Sequence, residues 1–250
     1  LNQPMVDRDL NPNNYPIWNF DGSSTGQSDS DGNTEIILKP CVIYKNPLRQ
    51  NFPNMINLLI LCDTYDIKNN PLQTNSRYHA NILFNKKLIS EPWFGLEQEY
   101  FIENKADNES NKCPPDQGEH YCGSVKFNPN ERSIVEEHLY ACITAGITIS
   151  GINSEVACRQ WEFQIGPCTG IQAGDQMIIA RYLLERISEK YGYTINYKPK
   201  PYDNVNGSGC HVNFSTIDMR NTDGIHVINN AIEKLNINHA IHIEQYGIDN

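Results

Sequence analysis

The sequence predicts an α+β fold: a short N-terminal part carrying strands, then a larger part in which helices flank a mainly antiparallel sheet. Three observations carry that prediction. Several short runs alternate apolar and polar residues, leaving one wet face, as antiparallel sheets commonly do. Other stretches repeat apolar residues at helical spacing between start and stop signals. A polar loop, Asp63 to Thr74, divides the 250 residues near position 75, giving expected domains 1–74 and 75–250.

Residues 1–35 are rich in Asn, Asp, Ser, Gly and Pro and read as loop and turn. Glu35 to Leu38 and Met55 to Cys62 follow as strands, the second reading as buried. Helices are expected at Asn75 to Lys86, at Ser133 to Ala145 (Ser133 and Glu136 in a capping-box pattern, Gly146 at the end), at Asp175 to Tyr191 with Gly192 as stop, and at Thr222 to Leu235. Strands are expected between them at Gly95 to Ile102, Ile147 to Asn153, Gln160 to Gly166, Thr194 to Tyr197 and Gly209 to Thr216.

The formal net charge of -10 argues against a nucleic-acid or anionic-membrane partner, since both require positive surface. The most apolar run, Met55 to Cys62, is short and interrupted by Asn57, so no membrane span is expected, and no signal-peptide pattern is visible. The chain opens on Leu1 rather than Met, so its true start is expected upstream. Its eight cysteines form no C-x-x-C pair and sit mostly in apolar segments. They read as reduced structural thiols, which points to the cytoplasm.

Three strands share a feature. Glu97 and Glu99 are two apart and face the same way. Trp161, Phe163 and Ile165 form one face of their strand, and Glu162 and Gln164 the other. Cys210, Val212 and Phe214 oppose His211, Asn213 and Ser215. Glu155 sits just past a fourth strand. A single such strand reads as the wet face of a sheet. The combination differs from a solvated face because its polar residues are mainly Glu, with one His and no Lys. Converging carboxylates must take up protons or bind cations. Oxygen ligands with one imidazole suit Mg²⁺ or Mn²⁺, and such a cup serves phosphoryl transfer. No G-x-x-x-x-G-K-[ST] or G-x-G-x-x-G loop is present, so a nucleotide site would be of neither type.

Longer motifs are more specific. Trp18-Asn-Phe-Asp-Gly-Ser-Ser-Thr25, Pro92-Trp-Phe-Gly-Leu-Glu-Gln-Glu-Tyr100, Gln160-Trp-Glu-Phe-Gln-Ile-Gly-Pro167 and Asn206-Gly-Ser-Gly-Cys-His-Val-Asn-Phe-Ser215 occur in that order, with Ala173-Gly-Asp-Gln176 and Lys198-Pro-Lys-Pro201 between them. In sequence, order and interval they resemble glutamine synthetase of the eukaryotic-type, shorter-subunit class along nearly the whole chain. The resemblance implies a truncated N-terminal β-grasp domain and a catalytic domain with a curved, mainly antiparallel sheet. It implies ATP-dependent ligation of ammonia to L-glutamate, giving L-glutamine by way of γ-glutamyl phosphate. One Mg²⁺ (or Mn²⁺) would be held by Glu99, Glu155 and Glu162, and a second by Glu97 and His211 plus a further glutamate, so two or more per site. ATP, the co-substrate, would contact Trp93, Glu97, Glu162, Phe163, Gln164, Ile165, Gly166, Pro167, Asn213, Phe214 and Ser215. Glutamate would lie against Asn204, Val205, Asn206, Gly207 and Gly209. Asp21, aided by Ser24, would bind ammonium and take its proton, acting in a neighbouring subunit's site. The protein would be a cytoplasmic homo-oligomeric ring, expected to be a decamer.

The residues also carry plainer readings: Asp21 as the cap of a turn, and Trp93 as core packing. His79, His120, His138, His226, His239 and His242 read as surface or structural. Three departures from the family pattern stand out. Ala157-Cys158-Arg159 replaces a segment that usually holds Met-Pro and a small residue. The loop Ala106 to His120 is short and carries Pro114-Pro115. Val205 stands where Trp is common. The family pattern continues past Asn250 into a flap glutamate, a metal glutamate and arginines, so this chain alone is expected to be inactive or nearly so. Two alternatives remain: a ligase joining glutamate to another amine, and a non-catalytic homologue with a structural or regulatory role.

Overall fold

The computed structural model describes residues 10–28, 32–50, 55–104, 121–123 and 129–246. Two antiparallel sheets organise them. The first has the order β1-β2-β3 and comprises β1 (Trp18–Asp21), β2 (Glu35–Lys45) and β3 (Leu58–Tyr65). β1 forms where the composition read as loop, because its backbone groups are satisfied by pairing Trp18 to Leu38 through Asp21 to Glu35. β2 runs on well past Leu38. Its ladder with β3 shifts register between Pro40 and Val42, a bulge that accommodates the missing proline N–H. β3 is half-buried rather than buried, with Ile60 37% exposed, and it takes in Asp63 to Tyr65 from the expected loop.

The second sheet is built on β4 (Trp93–Asn104). On one edge β4 pairs with β6 (Gln160–Thr169), which in turn pairs with β5 (Ile149–Ser154). On the other edge it pairs in tandem with β8 (Cys210–Ser215) and β7 (Tyr193–Asn196). α1 (Ser76–Lys87) leads into it. α2 (Pro129–Ala145) and α3 (Gln172–Lys190) cover one face. There Tyr100, Ile102, Phe163 and Ile165 of the strands meet Ile134, Val135, Leu183, Leu184 and Ile187 of the helices. Each of these is at most 1% exposed.

α2 begins four residues before the capping-box pattern. Pro129 takes its first position, and Ser133 Oγ bonds back to the Pro129 carbonyl at 2.9 Å instead of capping. α3 begins three residues early and ends at Lys190, two residues before Gly192, whose φ is +79°. α4 (Ile225–Ile237) and the short α5 (His239–Ile243), which no periodicity announced, bury no residue among those described. His138, read as surface or structural, is fully buried; Nε2 lies 3.0 Å from the Ala180 carbonyl oxygen, and the ring meets Phe163 edge-on. Among the described cysteines six are free, but Cys158 is disulfide-bonded, contrary to the reading of all as reduced. Bridging needs proximity in space, which sequence spacing does not report. Cys113, His120 and the loop Ala106 to His120 lie outside the described residues.

A partly buried ion-pair network joins the two sheets' elements. Arg77 of α1 donates to Asp175 of α3 through Nε at 2.7 Å and Nη2 at 2.8 Å, and its Nη1 lies 3.3 Å from Asp63 of β3.

Candidate functional site

Strand alternation sends Gln98, Tyr100 and Ile102 of β4 to the helix face and Glu97, Glu99 and Phe101 to the other. On β6 the same rule buries Trp161, Phe163 and Ile165 and turns Glu162 and Gln164 away from the helices. Register then decides which polar groups meet. Glu99 lies opposite Glu162, and Glu97 opposite both Gln164 and His211, while Asn153 of β5 faces Glu162. Like charges directly opposite one another destabilise a sheet, so this pairing does not serve the fold.

Glu155, at the exit of β5, completes the group. Glu99, Glu155 and Glu162 each offer a carboxylate oxygen, all within 4.8 Å of one another. Around them the structure supplies donors: Gly209 N–H to Glu99 Oε2 at 2.7 Å, Asn153 Nδ2 to Glu155 Oε1 at 3.0 Å, and Gln164 Nε2 to Glu162 Oε1. Next to this trio, His211 Nδ1 lies 3.5 Å from Glu97 Oε2, and Asn213 Nδ2 donates to Glu97 Oε1. Burial raises the pKa of Glu99, Glu155 and Glu162, and the charges of neighbouring glutamates add to it. Three clustered carboxylates form a hard oxygen donor set that suits Mg²⁺ or Mn²⁺, and the adjoining carboxylate–imidazole pair adds one borderline nitrogen.

A cleft of about 460 Å³ adjoins the cluster, sharing Glu97 and Gln164 with its surroundings. Its walls include Trp93, Ile165, Gly166, Pro167, Asn213, Phe214 and Ser215. Nine of the residues expected at a nucleotide thus line one cavity. Phe163 does not, because its side chain is fully buried in the core. Trp93 is 39% exposed, so it is not core packing. Gly166 has φ +119°, and a Cβ there would lie 2.5 Å from the Phe94 carbonyl oxygen, so only glycine fits this part of the wall.

The 204–209 segment packs beside Glu99. Val205 is buried with Phe101, Ala157 and Tyr202, while the Gly207 carbonyl accepts Gln160 Nε2 at 2.8 Å. A Cβ on Gly207 would meet the Pro199 carbonyl oxygen at 2.5 Å. Asn204, Val205 and Asn206 do not line the cleft. Asp21 ends β1 on the other sheet, and Ser24 lies in the short 3-10 turn that follows it. Asp21 is exposed and accepts the Ser23 N–H at 2.8 Å, so it caps its turn, and the Ser23 hydrogen bonds lower its pKa.

Sequence reasoning missed several residues here. Arg220 places its guanidinium carbon 3.8 Å over the Trp93 ring centre, and donates to Ser215 Oγ at 2.9 Å and to the Glu91 carbonyl at 3.1 Å. It follows the last motif by five residues, in a turn that no spacing marks. Asn153 could have been found: two residues before Glu155, it falls on the same side of the chain by strand alternation. Tyr121 lies near the cluster; Cys122 beside it and then Glu155 raise its pKa.

The raised carboxylate values fix a pH dependence. Between the ordinary carboxylate pKa and the raised folded values, the native state binds more protons than the unfolded state, so these groups' contribution to stability falls as pH rises through that window. A divalent cation removes the repulsion. The Mn²⁺-induced rise in Tm is therefore expected to be larger at pH 7.5 than at pH 5, as scanning calorimetry can measure. An equal shift at both pH values would remove the cluster as the site.

Residues 79–231 match the glutamine synthetase catalytic domain. Similar proteins include one of Acanthamoeba polyphaga mimivirus, provisionally named glutamine synthetase, at 49% identity over 94% of this chain and 66% of its own length. A cytosolic glutamine synthetase isozyme of Oryza sativa is 44% identical over 100% of this chain and 70% of its own. The glutamine synthetase of Agaricus bisporus is 45% identical over 94% and 66%. The chain thus spans about two thirds of the length of the curated relatives it matches. A catalytic-domain match over more than half of its residues, with such identity along nearly all of them, means that this chain belongs to the glutamine synthetase family.

Proposed function

We propose that the protein ligates ammonia to L-glutamate at the expense of ATP, as part of glutamine biosynthesis. The observation that carries this reading is the convergence of Glu99, Glu155 and Glu162 next to a cleft walled by Trp93, Gly166, Pro167 and Asn213 to Ser215. Glu99, Glu155 and Glu162 would hold one Mg²⁺ or Mn²⁺, and Glu97 with His211 a second. When bound, such ions neutralise the phosphate charge that develops during transfer.

The residues of this chain do the rest. Trp93, with Arg220 stacked on it, and the Gly166 wall bind the nucleotide. The 204–209 segment, held against Glu99 through the Gly209 N–H, positions glutamate. Its γ-carboxylate attacks the γ-phosphorus of ATP and ADP leaves, giving γ-glutamyl phosphate. Ammonium gives a proton to a carboxylate, the ammonia so formed attacks the acyl carbon, and phosphate departs. Asp21 serves as that carboxylate from a neighbouring subunit; its exposure leaves it available to do so. The assembly is a homo-oligomeric ring, a decamer, in the cytoplasm. In support of that location, relatives from rice and carrot are named cytosolic isozymes.

The test is phosphate release from ATP by the complete gene product. Release should require both glutamate and ammonium, and His211→Ala should reduce it more than about 10-fold, since even groups that only orient metal ligands cost 10- to 100-fold. Phosphate release indifferent to ammonium would sink the reading.

A further inference from the structure

Glu155 and Glu162 flank a single turn. β5 leaves at Ser154 and β6 enters at Gln160, with Glu155 N–H bonded to the Gln160 carbonyl at 2.8 Å and Gln160 N–H to the Ala157 carbonyl at 3.1 Å. The separation of these two carboxylates therefore depends on how this turn is held. Its sequence, Ala157-Cys158-Arg159, has no proline to stiffen it, and beyond the disulfide at Cys158 it depends on contacts to neighbouring elements. Arg159 adopts φ +62°, a left-handed conformation uncommon for a residue with a side chain.

Contacts hold the turn from both sides. On one, Arg159 Nε lies 3.5 Å from Glu131 Oε1, in the first turn of α2, and the Arg159 carbonyl accepts the Ile102 N–H at 3.0 Å. Glu131 is only 3% exposed, so its charge stays buried against a partner. On the other, Ala157 is buried against Phe101 and Val205, and Gln160 Nε2 reaches the Gly207 carbonyl. Val205 and Gly207 belong to the segment that donates Gly209 N–H to Glu99. The three carboxylates are thus tied to one another through this turn.

We propose that Glu131 and Arg159 are positioning residues: their ion pair fixes the β5–β6 turn and so sets the spacing of Glu155 and Glu162 against Glu99. The proposal rests on the reading of these three glutamates as a divalent-cation site. It assigns metal affinity to a pair that touches neither metal nor substrate.

The test is Mn²⁺ titration followed by electron paramagnetic resonance, on the chain and its variants at a temperature where circular dichroism shows each to be folded. Glu131→Gln is the main variant, since it removes the carboxylate's charge while keeping its shape. It is expected to weaken Mn²⁺ binding about 10-fold, the lower end of what groups that orient ligands contribute. Arg159→Met should do the same, and the double variant should be no worse than either single. Glu137→Gln, which breaks the α2 ion pair to Lys190 at 2.9 Å, serves as the control for general destabilisation and should bind as the wild type does. If the wild type binds no Mn²⁺, the metal reading falls and the positioning role with it. If the wild type binds and Glu131→Gln binds equally well, if the single effects add, or if Glu137→Gln loses as much, the metal site stands and the positioning role is overturned.

Discussion

Arg77→Met is expected to cost the protein about 3–5 kcal/mol, the range for removing one partner of a buried ion pair. The Arg77 side chain is 17% exposed and that of Asp175 only 4%. Without the guanidinium, Asp175 keeps a buried charge with nothing opposite, and Asp63 loses a partner at 3.3 Å. For a protein of this size, each kcal/mol moves Tm by roughly 2–4 °C, so the fall should be plain in a melting curve. Arg77→Met with Asp175→Asn should recover part of the loss, because no bare charge is then buried. A single variant that melts with the wild type would mean that the network contributes nothing to holding β3, α1 and α3 together.

Glu162→Gln is expected to have two opposed effects. Binding of Mn²⁺ should weaken more than about 100-fold, since a ligand must matter more than the 10- to 100-fold of groups that only orient ligands. The metal-free protein, in contrast, should melt higher at pH 7.5. Glu162 lies opposite Glu99 in the ladder, and the substitution removes that repulsion. Titration and calorimetry on one pair of proteins measure both. A variant that binds metal normally, or that melts lower without it, would contradict the view that these carboxylates are kept together for a cation at the expense of the fold.

Much of this was legible in the chain. Alternation alone assigned Glu162 and Gln164 to one face of β6 and Phe163 to the other, since strand geometry leaves no choice once a strand is assumed. Helix interiors were legible, but their starts were not. A proline at the first position and a serine bonding backwards displaced the apparent cap of α2. The strand Trp18–Asp21 looked like loop because its four alternating residues sit within a stretch rich in Asn, Asp, Ser, Gly and Pro; its partner β2 makes it a strand. Arg220 was illegible, because its place over Trp93 depends on a turn that brings residues far apart in sequence together.

By itself, then, the sequence determined the α+β class, the family and the identity of the acidic residues, because these follow from residue type, local period and motif order. Only the tertiary structure decided which carboxylates meet. Register across β4, β5 and β6 places Glu99 against Glu162 and brings Glu155 to them, while leaving Asp21 on another sheet. Register is a property of pairing between distant segments, and a one-residue slip would send every one of these side chains to the opposite face.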